Sequence, residues 1–515
     1  MREIAPDFRP YAWSAPSDEV ARIAGIDISQ VLRFDQNTPP LPLPSVRPGT
    51  IAGALARVSG YPGGGYRTLR HAIADYTGVD PQNIVLGAGA DDLILLCARA
   101  YAGPGDTIAI PQSPTYPLYR IAAQLAGALV EPGSQSESGS RVLTFFCNPN
   151  NPTGELAPLP DARPLVVDEA YFEYAGETAT GLLDEGVVVL RTFSKLFALA
   201  GARVGYALAS REVADELNAR QSPAPVSNIA ATLACAALAD RPDAAPVIEE
   251  RERLSAALRA LGLEPRESHT NFVYVPVDDG IALGDALMRQ GLVVRVSEEA
   301  IRVSVRDRED DDLLVETLAR ILDRPAPVAP AGHRSSRVLR ATAETRIAVR
   351  LALDGASRVR VATGAGLYDH LLEQLAFHAG FDLVLEGAGD LETGDHHTAE
   401  DAALALGEAL DGALGDRRGI ARYGDAVVPM DDALARAAVD LGGRPYAELE
   451  LEHDPGLAVH VLGSLAQAAR AAIHVQATGR DAHHVAEAAF KAVGRALRVA
   501  VRPEGVGVPS TKGLL

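Results

Sequence analysis

The chain has 515 residues, which is too long for one ordinary hydrophobic core, so two or three domains are expected. Its net charge of −20 argues against non-specific nucleic-acid binding, and no apolar run approaches the roughly 20 residues of a membrane-spanning helix. The first residues, MREIAPDFRPYAW, lack the pattern of a secretory signal, and only three cysteines occur. These features predict a cytoplasmic protein without a disulfide framework and without nucleic-acid or membrane partners.

A proline-rich stretch divides the sequence. Residues 323–336 read DRPAPVAPAGHRSS, in which prolines alternate with alanine and valine, a composition that favours an extended spacer. Before it, short β-branched runs alternate with Ala/Leu-rich helical stretches, which is typical of α/β domains. We therefore predict one domain over residues 1–322, a linker over residues 323–336 and a second domain over residues 337–515.

In the first domain, polar motifs follow predicted strands. The predicted strands are residues 83–86, 107–110, 142–146, 164–167, 187–190 and 204–208. The turn GAGADD follows the first of them and opens the helix LILLCARAY, where free backbone N–H groups could bind an anion. Later strands lead into CNPNNPTG at 147–154, DEAY at 168–171 and RTFSK at 191–195. Open parallel sheets bind ligands at such strand ends, so a ligand site is predicted there.

In this order, the motifs NPNNPTG, DEAY, SK and AGARVG resemble those of fold-type I aminotransferases that use pyridoxal phosphate. RFDQNTPP near the start and YPGGGYRTLRHAIADYTGV narrow the resemblance to the histidinol-phosphate aminotransferase family, over residues 8–322. The resemblance implies an α/β domain of the pyridoxal-phosphate-dependent transferase fold (type I) with a mostly parallel sheet. It also implies pyridoxal 5'-phosphate as the cofactor and a site at a dimer interface.

The same resemblance assigns roles to individual residues. Lys195 is the implied catalytic amine that joins the cofactor, and Asp168 is the acid that keeps the pyridine nitrogen protonated. Asn151 and Tyr171 are implied to bind the ring hydroxyl, and Tyr116 to stack on the ring. The residues implied to bind the cofactor phosphate within the same chain are Ala90, Asp91, Ser194 and Arg203. Tyr61 is implied to reach that phosphate from a partner subunit. Asn37 and Arg302 are implied to bind the substrate.

The second domain contains a motif that occurs twice. Residues 396–410 read HHTAEDAALALGEAL and residues 483–497 read HHVAEAAFKAVGRAL, with nine of the fifteen positions identical. His370 and His460 each lie upstream of one copy. The spacing predicts that HHxxE opens a helix, with a histidine and the glutamate on one face. Imidazoles completed by a carboxylate suit a first-row divalent ion such as Mn²⁺, so we predict two duplicated halves that bring the same ligands.

TGAGLYDHLLEQLAFHAGFDL, GDHHTAED, PMDDAL, HHVAEAAFKAVGRAL and PSTKGLL resemble the imidazoleglycerol-phosphate dehydratase family over nearly all of residues 337–515. The resemblance implies an α+β domain built from two internal repeats, and a 24-subunit shell whose metal sites are shared between subunits. It implies two Mn²⁺ per site, held by His370, His396, His397, Glu400, His460, His483, His484 and Glu487. The implied substrate-binding residues are Gln374, Arg422, Arg444, Lys491, Ser510 and Lys512. Glu344, Glu400 or Glu487 could move the protons, and the sequence leaves that choice open.

Together the two resemblances predict a bifunctional enzyme of histidine biosynthesis. The second domain is expected to dehydrate imidazoleglycerol phosphate to imidazole acetol phosphate. The first is expected to aminate that product with glutamate, giving L-histidinol phosphate and 2-oxoglutarate. Aminotransferase dimers could then decorate a dehydratase shell through the linker.

Three alternatives stay open at this point. The first domain could act on another substrate or decarboxylate phosphothreonine, or the second domain could be a structural or metal-storing shell. The chain could also be a pyridoxal-dependent transcription regulator. That last alternative needs a basic helix-turn-helix segment, and no stretch before residue 30 resembles one.

Overall fold

The computed structural model describes residues 8–26, 28–38, 53–131, 141–325, 334–355, 357–505 and 507–510. The chain divides into two compact units, Met1–Pro327 and Val328–Leu515. Two features predicted from the sequence lie outside the described residues, namely most of the linker (326–333) and Lys512. Among the residues that are described, no helix is both long enough and apolar enough to cross a membrane.

The first unit alternates short strands with helices. Its strands are β1 (Leu32–Arg33), β2 (Ile84–Gly87), β3 (Thr107–Ala109), β4 (Leu129–Glu131), β5 (Arg141–Cys147), β6 (Leu165–Asp168), β7 (Val187–Thr192), β8 (Gly205–Leu208), β9 (Phe272–Pro276), β10 (Leu292–Val293), β11 (Arg295–Ser297) and β12 (Ala300–Ser304). Its helices include α1 (Ser17–Ala24), α2 (Arg67–Thr77), α3 (Ala90–Tyr101), α4 (Leu118–Ala126), α5 (Phe172–Ala175), α6 (Arg211–Arg220), α7 (Asn228–Ala239), α8 (Ala245–Ala260), α9 (Gly280–Met288) and α10 (Arg308–Ile321). Each strand predicted from the sequence is present, with its ends within two residues of the predicted ones.

A seven-stranded sheet with the order β2-β8-β7-β6-β5-β3-β4 forms the centre of this unit. β8 is antiparallel to both of its neighbours, and the other neighbouring strands are parallel, so the predicted mostly parallel sheet is confirmed. Successive side chains of a strand point to opposite faces. Val166 and Val188 therefore join one hydrophobic core, and Val167 and Val189 join another. Both faces are covered, which explains the nearly continuous apolar strands.

A smaller antiparallel sheet, β11-β12-β9, follows in the chain. It packs on α8 and α10 in a separate core. β1 pairs in parallel with β10, which fixes the chain before residue 38 beside this smaller sheet. As a result, the backbone N–H of Asn37 donates to Ser304 Oγ at 2.8 Å. This pairing brings the early RFDQN segment next to the arginine of β12, 267 positions later in the chain.

The second unit has the same element order twice. Its strands are β13 (Ser335–Ala341), β14 (Thr345–Ala352), β15 (Val359–Ala362), β16 (Asp382–Gly389), β17 (Tyr423–Met430), β18 (Ala433–Asp440), β19 (Tyr446–Leu451) and β20 (Ala472–Thr478). Its helices include α11 (Gly366–Ala379), α12 (His396–Leu414), α13 (Ala458–Ala468) and α14 (Ala482–Ala500). Each half runs β-β-β-α-β-α, and the two sheets have matching orders, β13-β14-β16-β15 and β17-β18-β20-β19. An origin by duplication stays a prediction.

Both copies of HHxxE begin helices, as the spacing predicted. α12 starts at His396, and α14 starts one residue before His483. At the second start, the Asp481 carboxylate accepts from the backbone N–H groups of His483 and His484, at 2.8 and 3.3 Å. An aspartate at this position satisfies N–H groups that a helix start leaves without partners. The cap therefore fixes where the motif enters the helix.

The helices of one half pack on those of the other half, α11 on α14 and α12 on α13. Two glycines permit this packing. A Cβ on Gly407 would lie 2.7 Å from the Leu465 carbonyl oxygen, and one on Gly494 would lie closer still to the Leu375 carbonyl oxygen. The glycines occupy the same position in the two copies of the repeat. Their lack of a side chain lets a helix from each half approach the motif of the other.

We expect Gly407→Ala and Gly494→Ala each to lower the free energy of unfolding by about 1–3 kcal/mol, because the added methyl meets backbone that cannot rotate away. The gain in helix propensity, up to ~1 kcal/mol, only partly offsets this loss. Urea unfolding of the full chain measures the difference. Gly366→Ala is the control, since a Cβ there meets nothing within 4 Å. Equal stability of all three variants would contradict the close-packing account.

Candidate active sites

A cavity of about 830 Å³ lies where β5, β6 and β7 end, and it is called the cofactor cavity below. Its lining includes most residues predicted for the cofactor and substrate, namely Asn37, Ala90, Asp91, Tyr116, Asn151, Asp168, Tyr171, Ser194, Lys195, Arg203 and Arg302. Tyr61 is not part of this lining and is 94% exposed. An exposed ring is available to a second subunit, which was its predicted role, and that role stays a prediction.

Lys195 and Asp168 both line this cavity, and burial shifts the pKa of each. Burial, followed by the positive charge of Arg302, lowers the pKa of Lys195 to about 8. Burial raises the pKa of Asp168 to about 6, against the opposing effect of a hydrogen bond from Tyr119. The Tyr119 hydroxyl donates to Asp168 Oδ2 at 2.7 Å, and the Ala170 N–H donates to Oδ1 at 3.1 Å. The site therefore offers an amine that titrates near neutral pH and a buried acid.

Side chains from the smaller sheet and from the RFDQN segment hold the other predicted ring contacts. Asn37 Nδ2 donates to the Tyr171 hydroxyl at 2.8 Å, which leaves the tyrosine proton free to donate elsewhere. Arg302 Nη1 donates to Asn151 Oδ1 at 2.6 Å, and Nη2 donates to the Asp35 carbonyl at 2.7 Å. Arg302 thus spans from β12 to the loop after β5.

The opposite end of the cavity suits a phosphate. α3 begins at Ala90, so its first N–H groups face the cavity, where a helix start favours an anion. Arg203 Nη2 lies 2.9 Å from Asp91 Oδ2, and the Tyr116 hydroxyl donates to Asp91 Oδ1 at 3.0 Å. A Cβ on Gly205 would lie 2.9 Å from the Ala90 nitrogen, so only glycine lets β8 approach this helix start.

The sequence analysis missed two arginines of this cavity. Arg295 lies directly across from Arg302 in the β11–β12 pair. Its Nη2 donates to the Ala12 carbonyl at 3.0 Å. Arg33 forms a two-pronged ion pair with Asp35, at 2.9 and 2.7 Å. The strand–turn–strand pattern VVRVSEEAIRV was a usable signal for Arg295, because a hairpin pairs its two arginines.

The second unit brings six of the eight predicted metal ligands into two His/Glu clusters, and a seventh, His397, forms a separate group with Glu344 and Asp390. Cluster one consists of His370, His483 and Glu487, and cluster two consists of His396, Glu400 and His460. Within each cluster the candidate ligand atoms all lie within 4.8 Å of one another. Each cluster combines the first histidine and the glutamate of one HHxxE copy with the upstream histidine of the other half. The upstream histidines are therefore exchanged between the halves.

The second histidine of each motif lies outside both clusters. His397 Nδ1 is 3.1 Å from Asp390 Oδ2 and 3.4 Å from Glu344 Oε2, and His484 Nδ1 is 2.6 Å from Asp432 Oδ1. Hydrogen bonds to these aspartates raise the pKa of both histidines. Consecutive helical residues point about 100° apart, which separates the two imidazoles of each pair. The sequence analysis did not single out Asp390 or Asp432.

The predicted substrate contacts of this unit lie in several elements. Lys491 Nζ is 2.8 Å from Glu487 Oε1, one turn along α14 from cluster one. Gln374 follows His370 by one turn of α11. Arg422 pairs with Asp440 at 2.7 Å and donates to the Pro509 carbonyl at 2.9 Å, beside Ser510. Arg444 is exposed before β19. Their roles stay predictions.

Comparison with known proteins matches each unit to a family. The family model "Aminotransferase class I and II" matches residues 29–318, and "Imidazoleglycerol-phosphate dehydratase" matches residues 363–497. The chain is 51% identical over 197 residues to the imidazoleglycerol-phosphate dehydratase of Acidothermus cellulolyticus, covering 36% of this chain and 96% of that relative.

Two solved histidinol-phosphate aminotransferases resemble the first unit. The Sinorhizobium meliloti structure, in complex with pyridoxal-5'-phosphate, has a TM-score of 0.53 and 24% identity, and covers 62% of this chain and 98% of that one. The Clostridium acetobutylicum structure has a TM-score of 0.51 and 23% identity, and covers 57% and 99%. At these identities the likeness shows the fold alone.

The fold and the sites define an aminotransferase-type unit with a lysine and an aspartate at its strand ends, joined to a unit with paired His/Glu clusters. The chain belongs to the aminotransferase class I and II family over residues 29–318 and to the imidazoleglycerol-phosphate dehydratase family over residues 363–497. The class of each domain expected from its motifs is confirmed.

Burial of the Lys195 amine leads to a stability prediction for the protein without cofactor. The pKa of this amine is about 8 in the folded chain against 10.5 for an exposed lysine, so the unfolded chain binds more protons between these values. Stability therefore rises with pH in that window. We expect Lys195→Met to be more stable than the wild type at pH 7 by on the order of 3 kcal/mol. The difference should vanish near pH 10.5. Urea unfolding across this range measures it, and a difference independent of pH would contradict the shift.

Proposed function

We propose that the chain is a bifunctional enzyme of histidine biosynthesis. Its second unit dehydrates imidazoleglycerol phosphate to imidazole acetol phosphate. Its first unit transfers the amino group of glutamate to that product, giving L-histidinol phosphate and 2-oxoglutarate. The observation that carries the proposal is the match to a dehydratase over 96% of that relative's length, in a chain whose other unit belongs to the aminotransferases. The keto product of one reaction is the acceptor of the other.

Pyridoxal 5'-phosphate fits the residues that line the cofactor cavity. Its phosphate suits the start of α3 with Ser194 and Arg203, and its ring nitrogen suits the buried Asp168. When bound, the cofactor supplies an electron sink that acidifies the α-proton of the substrate. Lys195 then holds or moves that proton at Nζ, because an amine with a pKa of about 8 exchanges protons readily near neutral pH.

Cationic side chains of the same cavity support substrates that carry an anionic group away from the reacting carbon. Glutamate and imidazole acetol phosphate each present a carboxylate or a phosphate at a distance from the reacting carbon. Arg302 suits the carboxylate, since a guanidinium binds it through two parallel hydrogen bonds. Arg295, its cross-strand neighbour, suits the phosphate. This pairing of arginines supports substrates that carry a phosphate or a second carboxylate over a keto acid whose only anionic group is its α-carboxylate.

The dehydration requires activation of the substrate, because no carbonyl group acidifies the carbons from which water is lost. A divalent metal, which the histidines and glutamates of the two clusters would hold, would supply a Lewis acid that acidifies the N–H of the substrate imidazole. Glu400 and Glu487 belong to the clusters and serve as ligands. Glu344 belongs to the hairpin turn between β13 and β14, at 3.4 Å from His397, and is the carboxylate we assign to proton transfer.

The ligand arrangement supports our proposal of two Mn²⁺ ions per site and an assembly of subunits. Each cluster offers three ligands, whereas Mn²⁺ takes about six donors in octahedral sites. His397 and His484 lie outside both clusters in their own chain, and Nδ1 of each is held by a carboxylate. We assign their Nε2 atoms to clusters of neighbouring subunits, in a 24-subunit shell that carries aminotransferase dimers. A cytoplasmic location stays a prediction.

We expect His397→Ala and His484→Ala to reduce both the Mn²⁺ bound per chain and the mass of the assembly, although neither residue belongs to cluster one or cluster two of its own chain. Elemental analysis and light scattering measure the two quantities. The control is His453→Ala, an exposed histidine outside both clusters. If the variants keep full metal content and mass, the ligand sets are complete within one chain. A wild type that scatters only as a monomer would rule out the assembly.

We expect the purified chain to make histidinol phosphate when given imidazoleglycerol phosphate, Mn²⁺, pyridoxal phosphate and glutamate, as detected by mass spectrometry. Lys195→Ala should accumulate imidazole acetol phosphate, because it loses the amine but keeps the dehydratase ligands. His397→Ala should leave imidazoleglycerol phosphate unconverted, yet aminate added imidazole acetol phosphate.

Each variant is therefore the control for the other half of the chain. Imidazole acetol phosphate missing from every form would reject the dehydratase assignment. Amination of other keto acids in preference to this acceptor would reject the substrate assigned to the first unit.

A further inference from the structure

Tyr119 is a buried tyrosine that bonds directly to the acid of the cofactor cavity. Its hydroxyl donates to Asp168 Oδ2 at 2.7 Å, and its side chain is fully buried. We propose that Tyr119 is a positioning residue that keeps Asp168 ionised and aimed at the cofactor's ring nitrogen. This inference rests on the proposed function, because Asp168 has that partner only if pyridoxal phosphate is bound.

The hydrogen-bond partners of Asp168 explain why one hydroxyl matters. The carboxylate is 4% exposed, and an ionised carboxylate out of water is costly unless donors face it. The Ala170 N–H donates a hydrogen bond to Asp168 Oδ1, and the Tyr119 hydroxyl donates one to Oδ2. The tyrosine remains a donor, since burial raises its own pKa well above the ordinary value. Tyr119 is thus the side-chain hydroxyl that offsets the loss of solvent on this carboxylate.

The ring of Tyr119 is held in a fixed place. It stacks on Phe145 of β5, with ring centroids 5.3 Å apart and planes at 13°. It also meets the ring of Tyr116 edge-on at 5.7 Å. Tyr116 is the residue implied to stack on the cofactor, so one side chain contacts both the acid for the ring nitrogen and the aromatic for the ring face. Tyr119 therefore sets the relative placement of two cofactor contacts.

Tyr119→Phe removes the hydroxyl and keeps the packed ring. We expect about tenfold weaker binding of pyridoxal phosphate in equilibrium dialysis, because the lost hydrogen bond is to a charged group. The ratio of the bound cofactor's visible absorbance bands at one fixed pH should also change, since it reports protonation. In an Asp168→Asn background the same substitution should change the affinity less than twofold, because the coupled partner is already lost.

Tyr101→Phe is the matched control. Tyr101 packs against the same hydrophobic core as Tyr119, and neither tyrosine lines the cofactor cavity, but it is the Tyr119 hydroxyl that donates to Asp168. Its variant should bind pyridoxal phosphate with wild-type affinity and spectrum. A merely structural effect of losing a buried hydroxyl would persist in the Asp168→Asn background, so the double-mutant comparison separates positioning from packing.

The outcomes are distinguishable. A wild type that does not bind pyridoxal phosphate overturns the proposed function and this inference with it. A wild type that binds it, with Tyr119→Phe equal in affinity and spectrum, overturns this inference alone. If Tyr119→Phe does not fold, a crystal structure of the wild-type holoenzyme decides. A Tyr119 hydroxyl beyond hydrogen-bond reach of Asp168 overturns the inference, and one within reach, with Asp168 against the ring nitrogen, supports it.

Discussion

The first unit depends on keeping a carboxylate ionised at the centre of a sheet that excludes water. Asp168 ends β6, between β5 and β7, where a side chain meets strands on both sides. That position shields a cofactor from solvent, but it raises the pKa of the acid. Hydrogen bonds from Tyr119 and Ala170, and the charge of Lys195, act against this effect. The same burial lowers the pKa of Lys195, so one physical cause tunes both groups in the directions that transamination uses.

The second unit depends on close packing between helices of its two halves. Clusters one and two combine residues from both halves, whose helices approach each other closely at Gly407 and Gly494. Because each upstream histidine lies beside the motif of the opposite half, neither half holds cluster one or cluster two by itself. A single half would need a second copy to complete its ligands. Joining two halves in one chain provides that copy permanently, which gives the repeated sequence a physical reason.

The parts of this architecture that follow from local pattern were predictable from the sequence. The strands were predictable because buried parallel strands appear in the sequence as continuous apolar runs. The helix starts at HHxxE were predictable because the spacing of the histidine and the glutamate fits one helical face. The exchange of His370 and His460 between halves was not, since it depends on which helices pack together. Tyr119 gave no signal either, because its reach to Asp168 depends on how α4 lies on the sheet. Arg295 was predictable, because the strand–turn–strand pattern of its hairpin pairs it with Arg302.

Both proposed substrates are anionic, whereas the whole chain carries a net charge of −20. Ions in solution limit the repulsion between the acidic chain and an anionic substrate, because charges farther apart than about 8 Å are largely screened at physiological ionic strength. A phosphate bound as we propose would therefore experience mainly the nearest groups, such as Arg203, which pairs with Asp91 of α3, and the Arg295–Arg302 pair. Arg302 is 9% exposed and its neighbour lies across from it in the hairpin, so solvent screens this pair poorly. The acidic surface then affects how fast an anion arrives, and the arginines of the cavity determine how tightly it binds.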